Sequence, residues 1–383
     1  MTSRKDEITS FLAMDVYAEA QLLESQGHDI VHMEVGQPGT AAPRVVLDKA
    51  VNALKDDRIG YTNALGRDDL RARIAQHYQD QYGVDVAPDR IVITTGSSAG
   101  FVISFLSLFE AGDKVLLTQP GYPAYPNILR ALNFEPSFLP IGFETAFRPD
   151  AQQVEAKIAA EGIKGFLLAS PSNPTGTMVV GDDLAAVVEA TQRAGATFLS
   201  DEIYHGLTYG QQADTALRYS DDAIVINSFS KYYAMTGWRI GWLVLPPQLV
   251  RMAERLSQNL YVAPPTLSQM AAMHAFDATP ELEENRAVYA HNRQLLLNAL
   301  PEIGFPNIAP CDGSFYIYID VSDRTDDSAK FCSDMLREAH VGATPGADFD
   351  PTGGHKFIRL SFAESTDKIE EGIRRLRGWL QAR

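Results

Sequence analysis

Between residues 91 and 226, short apolar runs alternate with longer segments in which apolar residues recur every three or four positions. The short runs are rich in β-branched residues and predict buried strands, whereas the longer segments predict amphipathic helices. The predicted strands span residues 91–94, 115–118, 134–139, 166–169, 197–200 and 223–226. The predicted helices between them span residues 99–109, 125–132, 154–160 and 184–194. This alternation predicts an α/β fold with a mostly parallel sheet and helices on both faces.

The flanking regions follow a different pattern. Ahead of the alternating region we predict helices at residues 7–26, 43–55 and 67–82 and a short strand at residues 30–35. Beyond it we predict helices at residues 249–260, 267–276, 281–300 and 329–339, strands at residues 315–319 and 357–361, and a closing amphipathic helix. We therefore expect an N-terminal helix and loop (residues 1–42) packing on the small domain, a large domain (43–278), and a smaller α+β C-terminal domain that includes the interdomain helix (279–383).

The composition narrows the class of protein. Acidic residues number 49 against 33 basic ones, which gives the 383-residue chain a net charge of −16. This charge would repel phosphate backbones, so we expect neither nucleic acid nor an anionic membrane as a partner. The two cysteines lack metal-site spacing, and no segment approaches the roughly 18 apolar residues of a membrane span. We expect a cytoplasmic protein without disulfides or a metal site.

Candidate chemistry is concentrated in residues 228–242, directly after the strand predicted at residues 223–226. In an open α/β sheet, ligands bind beyond the carboxyl ends of the strands. Lys231 lies in this stretch among aromatic residues, and an amine in apolar surroundings loses some of its preference for the charged form and can attack a carbonyl. The alternative is a lysine that only lays its methylene groups on apolar surface.

Two further polar clusters follow other predicted strands. Gly96, Ser97 and Ser98 begin a helix whose free N–H groups favour an anion, although a plain helix cap explains them equally well. Asp201 and Tyr204 follow a later strand, where they can hold a cationic ring nitrogen and a phenolate oxygen. Alternatively, Asp201 only caps the next segment.

Two further residues each allow two interpretations. Asn173 begins an Asn-Pro-x-Gly segment, which can turn its amide toward the crevice but is more often a simple turn. Arg359 lies in the strand predicted at residues 357–361. It either points outward into solvent or points inward as a fixed fork for a carboxylate.

The chain resembles the class I/II aminotransferases of the fold-type I pyridoxal-phosphate enzymes in several spacings at once. Lys231 follows Ser228 by three residues and precedes Arg239 by eight. Asp201 lies thirty residues before Lys231, with Tyr204 three residues after it and the Asn-Pro-x-Gly segment further upstream. The resemblance runs from residue 36 to residue 359 and implies the fold-type I architecture, with pyridoxal 5′-phosphate bound by the large domain.

The same resemblance implies catalytic roles for Lys231, Asp201 and Tyr204. Lys231 would form a Schiff base with the cofactor aldehyde and then carry the proton between the substrate Cα and the cofactor. Asp201 would pair with the protonated ring nitrogen, so that the ring can accept electrons. Tyr204 and Asn173 would hydrogen-bond the phenolic oxygen of the ring, and Tyr122 would stack on its face.

The resemblance also implies how the phosphate and the substrate are held. The residues expected to bind the phosphate lie at a helix N-terminus and near the lysine, and they are Gly96, Ser97, Ser98, Ser228 and Arg239. Tyr61 would reach the phosphate of the neighbouring subunit, so that a homodimer shares its active sites. Arg359, with the Gly36 backbone and the Asn173 side chain, would take the substrate α-carboxylate.

The activity implied in this way is transfer of an amino group between an L-amino acid and a 2-oxo acid. Two alternatives remain open: a pyridoxal-phosphate-dependent lyase or cyclase on the same site, and a non-catalytic sensor domain that binds the same cofactor. The sequence offers no residue that we can assign as a second arginine for a side-chain carboxylate, so a preference for dicarboxylic substrates has no support.

Overall fold

The computed structural model describes residues 8–56 and 58–383. Its α-helices are α1 (Leu12–Ser25), α2 (Arg44–Asp56), α3 (Asp68–Tyr82), α4 (Gly96–Leu108), α5 (Ala124–Ala131), α6 (Ala151–Glu161), α7 (Gly181–Arg193), α8 (Pro247–Leu260), α9 (Thr266–Ala272), α10 (Thr279–Glu302), α11 (Ser328–Asp334) and α12 (Thr366–Gln381). Its strands are β1 (Ile91–Thr94), β2 (Lys114–Gln119), β3 (Glu135–Pro140), β4 (Gly165–Ala169), β5 (Thr197–Asp201), β6 (Ile224–Ser228), β7 (Gly241–Val244), β8 (Tyr316–Asp320), β9 (Thr344–Pro345) and β10 (Phe357–Ser361). Every strand and helix predicted between residues 91 and 226 is present.

A seven-stranded sheet forms the centre of the larger part of the chain, in the order β1-β7-β6-β5-β4-β2-β3. β7 is antiparallel to both of its neighbours, and the remaining neighbours pair in parallel. The predicted α/β fold with a mostly parallel sheet is therefore confirmed. The sequence pattern did not predict β7. Because residues 229–240 contain no crossover helix, this strand returns antiparallel to β6.

Helices cover both faces of this sheet, because successive side chains of a strand point to opposite sides. In β6, Val225 packs in one apolar cluster with Tyr78 of α3. The next residue, Ile226, packs in a different cluster with Phe101 of α4. Both strand side chains are completely buried, and each such burial contributes roughly 1.5–3 kcal/mol. The two cores hold the carboxyl ends of the parallel strands together at one edge of the sheet.

A second, antiparallel sheet has the order β8-β10-β9. Ile358 and Leu360 of β10 pack in one apolar cluster with Leu376 of α12. Arg359 lies between them and therefore points to the opposite face of the sheet. This small sheet thus turns a single arginine of β10 toward the large sheet.

The strand predicted at residues 30–35 is wrong. Val31 forms one isolated parallel bridge with Val341, and the segment continues without strand pairing. The Ser361 amide donates to the Met33 carbonyl, but the next carbonyl, that of Glu34, accepts a hydrogen bond from the Arg359 guanidinium. The backbone hydrogen bonds of this segment therefore do not continue into a strand ladder.

Three predicted helices differ from the observed ones at their ends. The first begins at Leu12, and residue 7 lies outside the described residues. The helix predicted at residues 267–276 ends as α9 at Ala272 and continues as the 3-10 turn Met273–Asp277. The one predicted at residues 329–339 is α11 followed by the π-helical turn Met335–Ala339. The boundaries proposed at residues 42/43 and 278/279 remain predictions.

Among the helices of residues 8–56 and 58–383, none combines the length and the apolar character needed to cross a membrane.

Candidate active site

A cavity of about 250 Å³ lies where the carboxyl ends of the large sheet meet the small sheet. Most of the residues singled out in the sequence line it, although they come from distant parts of the chain. They are Gly36, Ser97, Ser98, Tyr122, Asn173, Asp201, Tyr204, Lys231, Arg239 and Arg359. The remaining three, Tyr61, Gly96 and Ser228, do not line this cavity.

Lys231 presents its amine inside the cavity. Its Nζ donates a hydrogen bond to the Gly36 carbonyl at 2.5 Å. The amine also lies 5.9 Å from the centre of the Tyr204 ring and 5.8 Å from that of Phe315. Burial, together with the positive charges of the nearby arginines, lowers the pKa of Lys231 to about 8. A fraction of this amine is therefore uncharged near neutral pH and can act as a nucleophile.

Asp201 ends β5 at the bottom of the cavity and is only 3% exposed. Its Oδ1 accepts a hydrogen bond from the Ile203 amide at 3.1 Å, and its Oδ2 accepts one from the Tyr125 hydroxyl. Burial raises the pKa of Asp201 to about 6, and the two hydrogen bonds and the charge of Lys231 oppose that rise. Asp201 is thus a buried carboxylate facing a cavity and not a surface residue, although it also caps the next segment through the Ile203 amide.

Arg359 points inward and is held by three fixed acceptors. Its Nη1 donates to Asn173 Oδ1 at 2.9 Å, and its Nη2 donates to the Glu34 carbonyl at 2.6 Å and to Thr344 Oγ1 at 3.1 Å. The guanidinium carbon lies 4.1 Å from the centre of the Tyr316 ring. The buried Nε has no hydrogen-bond partner among the described residues. The side chain is therefore an oriented cation with a free donor, which suits a carboxylate.

The opposite end of the cavity suits a larger anion. Ser97 and Ser98 open α4, where the first N–H groups have no partner within the helix. Arg239 lies directly beside them and is fixed by a 3.0 Å hydrogen bond from Nη1 to the Thr236 carbonyl. Gly96 permits this approach, because a Cβ at that position would lie 2.5 Å from Arg239 Nη2. A phosphate-sized anion fits this set of donors.

Ser228 and Tyr61 lie elsewhere than at the surface of this cavity. Ser228 is buried, with its hydroxyl 3.0 Å from the Ile240 carbonyl and 2.9 Å from Ser230 Oγ. Ser230 lines the cavity in its place. Tyr61 is 88% exposed and lies in a separate, open depression. Within one chain, neither of these two side chains lines the cavity.

Sequence reasoning did not assign roles to Tyr125 and Tyr316. The hydroxyl of Tyr316 lies 3.0 Å from that of Tyr204. It also lies close to Gly36, where a Cβ would come within 2.1 Å of it, so this position requires glycine. Tyr125 follows Tyr122 by three residues on the same loop and helix, a spacing that could have suggested it. At Tyr316 the only signal in the sequence was an aromatic residue within a predicted strand.

Behind Asp201 lies a second buried carboxyl group, that of Glu202. Its Oε1 accepts hydrogen bonds from the hydroxyls of Ser200 and Thr215 and from the Ala216 amide, at 3.1, 2.9 and 3.0 Å. Its Oε2 has no hydrogen-bond partner within the described part of the chain and lies 3.6 Å from His205 Nδ1. Burial raises the pKa of Glu202 to about 8. This shift favours the protonated form of the Glu202 carboxyl group near neutral pH.

A second cavity is larger, with a volume of about 490 Å³. Its lining includes His205 and Tyr232, which directly follow the site residues Tyr204 and Lys231 in the sequence. None of the predicted site residues lines it. Over residues 8–56 and 58–383, no group of three or more His, Cys, Asp and Glu side chains is arranged to hold a metal ion.

Comparisons with known proteins show the family of the chain. The model of the family "Aminotransferase class I and II" matches residues 28–376. The chain is 46% identical to the valine–pyruvate aminotransferase of Mycobacterium tuberculosis, over 97% of both chains. It is 33% identical to the (5-formylfuran-3-yl)methyl phosphate transaminase of Methanocaldococcus jannaschii, over 99% of both. A crystal structure of an aminotransferase from Mycobacterium tuberculosis superposes with a TM-score of 0.97 at 45% identity, over the full length of both chains.

Proposed function

The chain belongs to the class I and II aminotransferase family, and we propose that it transfers an amino group between an L-amino acid and a 2-oxo acid with pyridoxal 5′-phosphate bound at Lys231. One observation carries this proposal. An amine with a lowered pKa, a buried carboxylate and an oriented arginine face the same cavity of about 250 Å³. These are the groups that this chemistry requires, and they come from three different strands or strand ends.

The residues around the cavity fit the cofactor. Its aldehyde would meet the amine of Lys231, and its ring nitrogen would meet the carboxylate of Asp201. Its phosphate would meet Arg239 and the first turn of α4, where the missing Cβ of Gly96 leaves room for the guanidinium. Ser230 supplies a hydroxyl at this end in place of Ser228. When bound, the cofactor supplies an aldehyde that reacts with amines and a ring that takes up the electron pair left at the substrate Cα.

Lys231 has two tasks in this mechanism. Its lowered pKa leaves part of the amine uncharged near neutral pH, so Nζ would be able to hold the cofactor through the aldehyde. Nζ would also be placed to take the proton from the substrate Cα and later to return a proton as a general acid. The hydrogen bond from Nζ to the Gly36 carbonyl supports this role, because it holds Nζ inside the cavity.

Asp201 would hold the cofactor and Arg359 would hold the substrate. The Asp201 carboxylate, oriented by the Ile203 amide and the Tyr125 hydroxyl, would keep a proton on the ring nitrogen. Arg359 would bind the substrate α-carboxylate through its free Nε, while Asn173 holds Nη1 in place. Tyr204 and Asn173 would contact the phenolic oxygen of the ring, and Tyr122 would lie against its face.

Two observations support a substrate with one carboxylate and an apolar side chain. Lys231, Arg239 and Arg359 are the cationic side chains that line the cavity in the described part of the chain, and each already has a role. No cation of this chain remains there for a second carboxylate. A relative that is 46% identical is named for valine and pyruvate.

We also propose that a second copy of the chain completes the site. Tyr61 is almost fully exposed on a loop that is nevertheless held in place. Gln269 of α9 bonds this loop at Thr62 and at the Arg67 amide, and the Thr266 hydroxyl bonds the Gly60 carbonyl. An ordered, exposed phenol is suited to contact a neighbouring subunit's phosphate.

The test is a panel of L-amino acids offered to the enzyme with pyridoxal 5′-phosphate and pyruvate. We expect equal amounts of a new 2-oxo acid and of alanine, with the best rates for apolar donors. Release of ammonia without alanine would identify a lyase instead. Absence of turnover with every donor would contradict the proposed function.

A further inference from the structure

The second cavity is a cleft between α3 and the start of α10. One wall is a face of α3 that includes Arg73 and His77. The opposite wall consists of Phe276 and the first turns of α10. The volume of about 490 Å³ lies within the range of cavities that hold small organic ligands. The second cavity is therefore large enough for a ligand of its own.

Arg73 brings an unpaired positive charge to this cavity. Its guanidinium carbon lies 4.5 Å from the centre of the Phe276 ring. Its Nη1 is buried and has no hydrogen-bond partner among the described residues. Over residues 8–56 and 58–383, the guanidinium also forms no ion pair. A buried donor without an acceptor is unfavourable, so an anion beside Arg73 would supply what the chain lacks.

The carboxylates that line the second cavity are bonded to other groups. Glu283 pairs with the Arg286 guanidinium and accepts a hydrogen bond from the Tyr232 hydroxyl at 2.7 Å. Asp80 is exposed to solvent and accepts a hydrogen bond from the Gln76 side chain at 2.8 Å. Within the described part of the chain, neither carboxylate therefore pairs with the guanidinium on α3.

His77 places a neutral imidazole one helical turn after Arg73, on the same face of α3. Burial, and then the positive charge of Arg73, lower the pKa of His77 to about 4. The imidazole ring centre lies 5.0 Å from that of Phe276. A neutral imidazole has one N–H donor and one acceptor nitrogen. His77 can therefore donate a second hydrogen bond to an anion that Arg73 holds.

Other parts of the cavity lining are apolar. Tyr233, Phe276 and Leu282 line the cavity, and each is at most 8% exposed. The rings of Tyr233 and Phe276 meet edge to face, with centres 5.3 Å apart. A further ring beside such a pair gains both buried area and a favourable ring contact. This surface therefore suits a ligand with an apolar or aromatic body.

We propose that the second cavity binds a small organic carboxylate with an apolar or aromatic body. The carboxylate pairs with the Arg73 guanidinium, whose N–H groups match its two oxygens, and accepts a hydrogen bond from His77. The body of the ligand lies against Tyr233 and Leu282. Amino acids and 2-oxo acids share this chemistry. The inference does not rest on the proposed reaction, because none of its residues belongs to the catalytic cavity.

The first test measures binding of 3-phenylpropionate by calorimetry. This probe has the carboxylate and the ring but no amino or oxo group. The protein is the enzyme with pyridoxal 5′-phosphate, reduced with borohydride, and it carries Arg359→Lys to weaken carboxylate binding in the catalytic cavity. We expect saturable binding with one probe per chain. Adding Arg73→Gln should weaken it about tenfold or more, because hydrogen bonds to a charged group are lost. Arg73→Lys, which keeps the charge, should lie between the two.

Arg374→Gln in the same Arg359→Lys protein is the matched control, because Arg374 lies in an exposed ion pair on α12. It should leave the affinity for the probe unchanged. Arg73→Gln should fold normally, since its guanidinium has no ion pair to lose within the described residues. Absence of saturable binding, or equal affinity with and without Arg73, would overturn the inference.

The source of the carboxylate is found by repeating the titration with L-phenylalanine and with phenylpyruvate. Tighter binding of L-phenylalanine than of 3-phenylpropionate would identify an amino acid as the ligand class. Tighter binding of phenylpyruvate would identify a 2-oxo acid. Equal binding of all three probes would show that the carboxylate and the ring are sufficient. Each of these results supports the site, provided that Arg73→Gln abolishes the binding.

The second test locates the probe directly. Crystals of the enzyme with its cofactor are soaked with 3-(4-bromophenyl)propionate, and the anomalous signal of bromine gives its position. We expect bromine in the second cavity, with the carboxylate at Arg73, and no signal there in crystals of Arg73→Gln. Bromine only in the catalytic cavity, or at neither place, would overturn the inference. Failure of the amino-acid panel would contradict the proposed function and leave this site standing, so the two failures are distinguishable.

Discussion

The Tyr125 hydroxyl donates a hydrogen bond to Oδ2 of Asp201 at the buried end of the active-site cavity. Burial raises the pKa of Asp201 to about 6, and this hydrogen bond is the strongest of the contributions that oppose the rise. A charge at Asp201 is what the proposed mechanism needs. Tyr125 therefore belongs to the machinery that keeps this carboxylate ionised near neutral pH.

Replacement of Tyr125 by Phe should move the acidic limb of the kcat/KM profile to higher pH. A hydrogen bond to a charged group is worth about 1.5–3 kcal/mol, and one pKa unit corresponds to 1.36 kcal/mol, so the shift should be about one to two pH units. The direction follows from the loss of a donor that favours the charged form of Asp201. Tyr219→Phe is the control, since Tyr219 donates to the Asp214 carboxylate away from the cavity. Identical profiles for Tyr125→Phe and wild type would contradict the assignment.

Replacement of Arg359 by Lys keeps the positive charge but removes the fork that Asn173 and Glu34 orient. We expect KM for the amino acid to rise about a hundredfold, because disrupting a buried, hydrogen-bonded charge pair costs about 2–5 kcal/mol. Cofactor binding, measured by titration, should change little. Arg374→Lys, at an exposed ion pair on α12, is the matched control. An unchanged KM in Arg359→Lys would mean that the carboxylate binds elsewhere.

Mixed dimers test whether Tyr61 serves the neighbouring subunit. Tyr61→Ala should bind pyridoxal 5′-phosphate about tenfold or more weakly, because it loses a hydrogen bond to a charged group. Subunits carrying Tyr61→Ala are then exchanged with subunits carrying Lys231→Ala, at a cofactor concentration that saturates only the wild type. Each mixed dimer contains one site with both residues intact, so activity should return.

The same two variants combined without subunit exchange provide the control and should stay inactive. If Tyr61 acted in its own subunit, the exchanged mixture would stay inactive as well, and the shared site would be refuted.

The buried carboxyl group of Glu202 should make the stability of the cofactor-free protein depend on pH. The pKa of Glu202 is raised by burial from 4.5 to about 8. Between these two values the folded protein holds a proton that the unfolded chain has lost, so the free energy of unfolding falls as pH rises through this window. Glu202→Gln should remove this part of the slope, as measured by urea unfolding from pH 5 to 9. Parallel curves for wild type and Glu202→Gln would show that the carboxyl group is not protonated in the fold.

The sequence predicted much of the fold because its signals are local. The strands from β1 to β6 are short apolar runs between helical segments, and their pattern alone places Asp201 and Lys231 beyond strand ends. The antiparallel β7 and the two-residue β9 lack such signals, since one follows an irregular loop and the other is set by pairing with β10. The failed strand at residues 30–35 shows the limit of a local pattern, because in this segment only Val31 pairs with another chain segment as a β-bridge, at Val341.

The residues of the candidate site likewise fall into two groups, those with a local sequence signal and those without one. Residues such as Lys231 and Asp201 occur in spacings that resemble a known family, so their numbers could be predicted from the sequence. Tyr316 and Tyr125 contact site residues that are more than 70 positions away in the chain. A pairing over that separation depends on how the two sheets pack, and no spacing in the sequence encodes it.

The most direct test of the central claim is to find which lysine binds the cofactor covalently. The enzyme with pyridoxal 5′-phosphate is reduced with borohydride, digested and analysed by mass spectrometry, with Lys231→Ala treated in parallel. We expect one pyridoxyl group per chain, on the peptide that contains Lys231. The Lys231→Ala protein should carry no adduct that reaches one per chain. A stoichiometric adduct on another lysine, or an equal adduct in Lys231→Ala, would contradict the account.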